Sequence, residues 1–385
     1  MKILFHHRIR SKDGQFVHLE EMVKAFRDEG HEVVLVGPEV LESEAFGSDA
    51  GYVDVLRRHL PLWLAEILEF CYGLAALPRL LRAIRRHAPD FVYERYNLLF
   101  PTGAWATRRL GVPFVLEVNA PLYEERCSQG GIGLRRFAAW TQRHVWLSAD
   151  LVLPVTRVLG DTMVAQGVDE GRVLVLPNGV DTERFQPIDA LAAKRAIGLE
   201  GRLVLGFVGF VRAWHGVDGI IRAMADGQLP AEAHLLVVGD GPARADLESL
   251  SASLGVASRV TFTGVVGRDR LPPFIAAFDI ALQPAVTSYA SPLKVIEYLA
   301  MGKAILAPDQ PNIREILEDG VNARLAPQAD PAAAARALAE LARDAALRDR
   351  LARGAAQSIA GRGLTWSANA RRIVERIRRR PRVSA

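Results

Sequence analysis

SYASPLKVIEYLAMGKAIL, residues 288 to 306, contains a proline-bearing loop, a lone cation at Lys294, an apolar helical pattern with a carboxylate at Glu297, and a β-like run from Ala304 to Leu306. A helix starting near Ser291 puts Lys294 and Glu297 on one edge of its opening turns, because residues three apart share a helix face. The first turn also offers backbone N–H groups without helical partners, at the positive end of the helix dipole. Cation, amides and carboxylate together suit a nucleoside diphosphate, with the phosphates on the first two and the ribose hydroxyls on the third. A surface ion pair between Lys294 and Glu297 is the other reading of the same residues.

The same alternation of strand and helix runs along the whole chain. In the first half the strand candidates are KILF, HEVVLVG, FVYER, FVLEV, LVLPV and VLVLP; in the second they are LVLGFVGF, HLLVVGDG, VTFTG, IALQPA and AILAP. Between them lie amphipathic stretches such as GQFVHLEEMVKAFRDEG, with Phe16, Leu19, Val23 and Phe26 at helical spacing and Gly30 as a stop. Such alternation implies parallel sheets covered on both faces. The pattern restarts near residue 201, after VLPNGVDTERFQP, so two Rossmann-like domains are expected. They are set at 1–184 and at 185–363. Ligands of such sheets bind at the carboxyl ends of the strands, so a cleft between the domains is the expected site. The Ala/Arg-rich stretch from 331 to 355 reads as structural helix.

With 385 residues, 50% hydrophobic and 24% charged, the composition is that of a globular chain long enough for two domains. Two cysteines, Cys71 and Cys127, make no disulfide framework, which points to a reducing compartment. MKILFHHRIR carries no apolar signal region. The run LPLWLAEILEFCYGLAALPRLL from residue 60 is interrupted by Glu66, Glu69, Pro78 and Arg79 and is unsuited to span a bilayer. The formal charge is +4, with arginine concentrated in LLRAIRRHAPD and at the C-terminus. These clusters suit an anionic surface or acceptor, or simply a solvated helix face. No zinc spacing and no nucleic-acid-binding signature appears, and no nucleic acid partner is expected.

Several other motifs sit where a strand passes into a helix. In GFVRAWHGVDGI, residues 209 to 220, Gly209 lets backbone approach a ligand and Arg212 suits bidentate contact with phosphate. His215 serves a ligand, caps the helix or packs on Trp214. The spacing is not GxGxxG, which disfavours a nicotinamide dinucleotide. In VVGDGPARADLE the Gly239–Asp240 turn lines a nucleotide or merely joins strand to helix. Gly14 opens the first helix, where its amides suit a phosphate and Arg10 and Lys12 stand close in sequence. VLEVNAP ends a strand with Glu117 and Asn119, as catalytic polar groups or as a buried, satisfied pair.

Together these motifs, in this order, resemble a family 4 glycosyltransferase of the GT-B type over nearly the full length. FVGFVR…HGVDGII, LLVVGDGPARADLE, VTFTGVV, SPLKVIEYLAMGKAILA, NIREILEDGVNARL, VLPNGVDTERFQP and LTWSANARRIVERI carry the resemblance. It implies two Rossmann-like domains facing across a cleft, with the last helix, in residues 364–385, returning to pack on the first domain. It also implies retaining transfer of a hexosyl or N-acetylhexosaminyl group from a nucleotide sugar, UDP-linked in most relatives, to a hydroxyl or amine. By that resemblance Glu297 holds ribose, while Arg212 and Lys294 hold the diphosphate. Amides at Leu293 and Gly14 assist, Val265 and Val266 meet the base, and Gly209, His215, Gly239, Asp240, Ser291 and Pro292 line the donor. No metal or other cofactor is expected, since cations of the protein neutralise the leaving diphosphate.

Three positions depart from the family pattern. Counting back from Glu297 puts Tyr289 where the family commonly has a first glutamate; His215 replaces a usual Lys, and Asn119 a usual His. Asn119 is nonetheless the catalytic candidate of the first domain, with Arg212 and Lys294 from the second. Acceptor recognition is expected from the loops His6 to Gln15, Arg95 to Thr102 and Asn119 to Gly133, through Arg95, Asn97, Glu124 and Glu125. Three functions remain open: assembly of a glycan on a lipid-linked acceptor, transfer to a soluble acceptor such as an aminocyclitol, and an inactive scaffold for a partner enzyme. The expected location is cytoplasmic, with contact at the inner membrane face through residues 60–86.

Overall fold

The computed structural model describes residues 1–9, 14–38 and 60–379. Arg10 and Lys12 lie outside the described residues. Two compact units form, one from Met1–Pro177 with Trp366–Ala385, the other from Asn178–Thr365. The sequence reading set the boundaries at 184 and 363. The chain changes unit earlier because Asn178 donates from its backbone to the Ser291 hydroxyl at 3.1 Å and from its side chain to the Ser291 carbonyl at 2.6 Å. Val180 then pairs with Thr365.

The first unit holds a parallel sheet of β1 (Lys2–His6), β2 (Glu32–Val36), β3 (Phe91–Arg95), β4 (Phe114–Val118) and β5 (Leu151–Pro154), ordered β2-β1-β3-β4-β5. β4 and β5 are buried along their whole length, as the near-continuous apolar runs of a two-sided parallel sheet require. β2 is an edge strand and is nowhere fully buried, with Glu32 and Leu35 exposed. The helix Gly14–Asp28 buries Leu19, Val23 and Phe26 and stops before Gly30, whose φ of +77° suits glycine. The last helix, Trp366–Arg378, belongs to this unit; Asn369 donates to the Pro177 carbonyl at 2.7 Å.

Two expectations for this unit change. VLVLP is not a strand: Val173 makes a single bridge to Val152, and Leu174 and Leu176 hydrogen-bond along β5. The segment after residue 60 is one 26-residue helix, Leu62–His87, that continues through Pro78. Its glutamates Glu66 and Glu69 are buried. Glu66 accepts from the Gly133 and Leu134 amides at 2.8 and 2.7 Å, and Glu69 accepts from Arg126. Among the described residues no helix is long and apolar enough to cross a membrane.

The second unit is built on β6 (Leu203–Val208), β7 (Ala233–Val238), β8 (Val260–Phe262), β9 (Ile280–Leu282), β10 (Ala304–Pro308) and β11 (Arg324–Ala326), all parallel, ordered β11-β10-β9-β6-β7-β8. β11 went unread, because its three residues begin with an arginine and sit in a loop-like composition. The Ala/Arg-rich region is two helices, Pro331–Arg343 and Ala345–Arg362, broken at Asp344, whose carboxylate caps the second.

Candidate active site

In the second unit the opening stretch folds as loop, helix and strand. The helix runs Leu293–Ala300, two residues later than expected, because Pro292 holds an extended conformation (φ −73°, ψ 120°) and serves as N-cap. The Leu293 and Lys294 amides therefore head the helix. Lys294 reaches back to β6. Its ammonium sits 3.9 Å from the centre of the Phe207 ring, and a Cβ at Gly209 would lie 3.2 Å from it. Gly209 takes φ +134°, and any side chain there would press on the lysine.

Lys294 makes no ion pair among the described residues, and the expected alternative of a Lys294–Glu297 pair is not what forms. Glu297 is buried and pairs with Arg268 at 3.1 Å, while Arg268 stacks on Phe185. Burial pushes the Lys294 ammonium down to about 7, with the Glu297 charge pulling it up. Next to Glu297, the buried Tyr298 hydroxyl accepts from the Val208 amide at 3.0 Å and so ties the helix to the end of β6.

Arg212 is exposed, lies over Phe210 and makes no ion pair among the described residues. His215 shows two of the three roles the sequence allowed, capping and packing. Its Nδ1 accepts the Arg212 amide at 3.1 Å, and its ring lies 4.0 Å from Trp214 and 5.3 Å from Phe207. Burial first, then Lys294 and Arg212, push His215 down to about 3. A neutral ring that accepts at Nδ1 carries its proton on Nε2, so this side chain is a donor without charge. The two unpaired cations, the neutral donor and the helix amides form one positive, donor-rich patch around the end of β6.

The neighbouring turn is shaped by backbone contact. Gly239, at φ +147°, lies so close to Gly209 that a Cβ would meet the Gly209 carbonyl oxygen at 2.0 Å. Asp240 accepts from Arg244 at 3.1 Å and from the Gly241 amide at 2.8 Å. Val265 is 52% exposed, while Val266 packs against the core. Ser291 is spent on Asn178, and Tyr289 sits half-buried in the loop before it.

In the first unit, Asn97 and Asn119 follow the adjacent strands β3 and β4 at their C-terminal edge. Asn119 donates its amide to Glu117, which is buried. Glu117 also accepts from Tyr93 at 2.6 Å and Arg95 at 2.9 Å, with His18 at 3.3 Å. Burial pushes this carboxyl up, but His18, Arg95 and the bonds from Tyr93 and Asn119 outweigh it and hold it below its ordinary value. An ionised carboxylate only accepts, so Asn119 must present its NH₂ to it and keeps its carbonyl oxygen for another partner.

Arg95 is thus engaged with Glu117, and Asn97 donates to the Arg95 carbonyl at 3.0 Å. Glu124 accepts from Gln142 and Gln166, both at 2.8 Å, and braces its helix within the domain. Glu125 sits half-buried on that same helix, Leu122–Ser128, and Gly14 opens the helix Gly14–Asp28. Sequence reasoning missed Arg268, Phe207 and Tyr298, which ordinary core and loop composition conceals. Among the described residues no group of three or more His, Cys, Asp or Glu side chains is placed to hold a metal ion.

Residues 202–344 match the family model described as Glycosyl transferases group 1, and residues 12–184 match Glycosyltransferase Family 4. A D-inositol 3-phosphate glycosyltransferase of Actinosynnema mirum is 31% identical over 304 residues, 74% of this chain and 72% of that one. The chain belongs to the family 4 glycosyltransferases. A 2-deoxystreptamine glucosyltransferase of Streptomyces kanamyceticus is 28% identical over 291 residues, 70% of this chain and 74% of the other. The fold is GT-B, with two Rossmann-like domains. Anabaena Alr3699/HepE, solved in complex with UDP, superposes with a TM-score of 0.75 at 19% identity, covering 97% of this chain and 99% of that one. Sucrose-phosphate synthase from Thermosynechococcus elongatus gives 0.75 at 16% identity, covering 98% of each chain.

Proposed function

We propose that this glycosyltransferase moves a sugar from a UDP-linked donor to a hydroxyl of a small polyhydroxylated acceptor, with retention of the anomeric configuration. The observation that carries the reading is the pair of unpaired cations, Lys294 and Arg212, gathered at the end of β6 and the head of the helix Leu293–Ala300. Negative charge develops on the diphosphate as its bond to the anomeric carbon breaks. Groups held ready for that charge lower the barrier without having to reorganise.

In this reading the two cations and the Nε2–H of His215 bind the phosphates, and Glu297, oriented by Arg268, accepts from the ribose hydroxyls. The new bond forms from the acceptor oxygen to the anomeric carbon on the face the diphosphate leaves, and the acceptor's proton passes to the departing phosphate oxygen. Asn119 accepts a hydrogen bond from a sugar hydroxyl through its free carbonyl oxygen. UDP is favoured by the UDP-bound HepE structure, and a small cyclitol-like acceptor by relatives named for D-inositol 3-phosphate and 2-deoxystreptamine. The neutralising charge comes from protein side chains, so chelators are expected to leave turnover unchanged.

A second reading, a lipid-linked acceptor, is favoured by one observation. The helix Leu62–His87 exposes Trp63 (49%), Ile67 and Tyr72, and Trp140 is exposed on the helix Arg135–Ser148. An inactive scaffold is disfavoured, since it has no use for unpaired cations at a strand end. The test is incubation with UDP-glucose, UDP-galactose and UDP-N-acetylglucosamine against a cyclitol panel, with the product anomer read by NMR. An α-linked product supports the proposal. A β-linked product, or turnover only with a lipid-linked acceptor, would replace it.

A further inference from the structure

The C-terminal edge of the first sheet carries a cation that donor binding does not use. Arg8 follows β1 closely, and its side chain is only 13% exposed. Its guanidinium lies 4.6 Å from the centre of the Phe100 ring and 5.2 Å from that of Tyr72. The turn before Phe100 is held by Leu99 in the left-handed region, at φ +61°, a conformation that non-glycine residues adopt at a cost.

A guanidinium this buried ordinarily finds a hydrogen-bonding carboxylate. Arg8 has only a shared one. The nearest carboxylate oxygen, on Glu69, is 3.6 Å away, and both Glu69 oxygens already accept from Arg126 at 3.2 Å. Two guanidiniums share one carboxylate, and Arg8 holds it only by the longer contact. Most of the five donors of its rigid fork are thus left presented in a surplus of positive charge.

The location gives that surplus a use. β1, β3 and β4 are neighbours in register, so Arg8, Asn97 and Asn119 all follow strands at one sheet edge, where ligands of such sheets bind. A small cavity of about 20 Å³ lies against Arg8, lined also by His6, His7, Tyr72, Arg79 and Phe100. That space takes one oxygen-sized group, and a larger anion would extend past the exposed Tyr72 and Arg79. Burial and the neighbouring His6 push His7 down to about 4, against a hydrogen bond with the Ile9 backbone, so at neutral pH His7 adds no charge to that of the arginines.

We propose that Arg8, with Arg79 at the rim, forms a subsite for an anionic group borne by the acceptor, a phosphate or carboxylate on a hydroxyl-bearing molecule. The inference rests on the glycosyltransferase reading above and deepens it: of the two acceptor chemistries named among the relatives, the subsite fits the anionic one and not the cationic aminocyclitol.

The test is calorimetric titration of the full chain saturated with UDP, using inositol monophosphate, inositol, 2-deoxystreptamine, glucuronate and inorganic phosphate as probes. One charge-assisted, two-pronged contact predicts binding of inositol monophosphate about tenfold or more tighter than inositol. Arg8→Gln should reduce that preference to about twofold or less, and Arg8→Lys should restore only part of it, since a lysine keeps the charge but lacks the fork. UDP affinity measured on the same samples reports whether each variant is folded. Tighter binding of 2-deoxystreptamine, a preference that survives in Arg8→Gln, or no binding of either anionic probe would overturn the proposal. Inorganic phosphate binding as tightly as inositol monophosphate would also overturn it, by marking a free-anion site. Failure of UDP to bind the wild type would instead remove the donor reading, and this proposal with it.

Discussion

Binding of UDP should carry a proton into the protein, and replacing Lys294 by methionine should abolish that uptake. Burial beside Phe207 pushes the Lys294 ammonium down to about 7 in the empty protein, with Glu297 opposing. At pH 8 such an amine is about nine-tenths unprotonated. A diphosphate placed against it favours the charged form and restores the ammonium. Each UDP bound at pH 8 should then take up about 0.9 of a proton, and affinity should fall about tenfold from pH 8 to pH 9. His215, pushed to about 3, is neutral in this range and contributes nothing. Calorimetry in buffers of different ionisation enthalpy reads the uptake as a slope. The wild type should give about 0.9 at pH 8 and Lys294→Met a slope near zero, with no pH trend in its weaker affinity. A wild-type slope near zero, or equal slopes in the two proteins, would refute the assignment of Lys294 to the phosphates.

Gly239→Ala should cost about 3 kcal/mol or more, because its Cβ would meet the Gly209 carbonyl oxygen at 2.0 Å at a φ of +147°; an unchanged urea midpoint would contradict this. Glu297→Ala strands the buried side of Arg268 and should cost about 3 kcal/mol, whereas Glu297→Gln keeps an acceptor and should lose UDP affinity at a nearly unchanged melting temperature. His215 and His7 are pushed to about 3 and about 4 from an ordinary 6.5, so the unfolded chain binds more protons below pH 6.5. Stability present above pH 6.5 should be lost as the pH falls toward 4, and His215→Asn should flatten that slope in melting curves taken from pH 7 to pH 5.

The parallel sheets were legible because β4, β5, β6 and β7 are buried along their length and read as near-continuous apolar runs, interrupted only by Glu117 in β4 and His234 in β7. β11 was not, since a short strand opened by an arginine has no such run. VLVLP misled for the opposite reason: it has a strand's composition and lies along β5, but makes only one bridge. Pro78 reads as a break, yet the helix passes through it. In the site, the lysine and glutamate spacing disclosed that Lys294 and Glu297 belong to one helix edge. It did not disclose that Arg268, distant in sequence, neutralises Glu297 and leaves Lys294 unpaired. Long-range pairing of this kind has no periodicity. Arg95 and Glu124 were chosen for their chemistry; their partners Glu117, Gln142 and Gln166 come from other strands and helices and are fixed only by the fold.

The most direct test of the donor site is a thermal shift of the full chain with UDP, GDP, ADP and TDP in the presence of EDTA. A ligand held only by the native state at 100 times its Kd adds about 2.7 kcal/mol, a shift of a few degrees. The account predicts that UDP gives the largest rise without metal and that Lys294→Met removes most of it. No rise with any nucleotide, or a rise that Lys294→Met leaves intact, would contradict it.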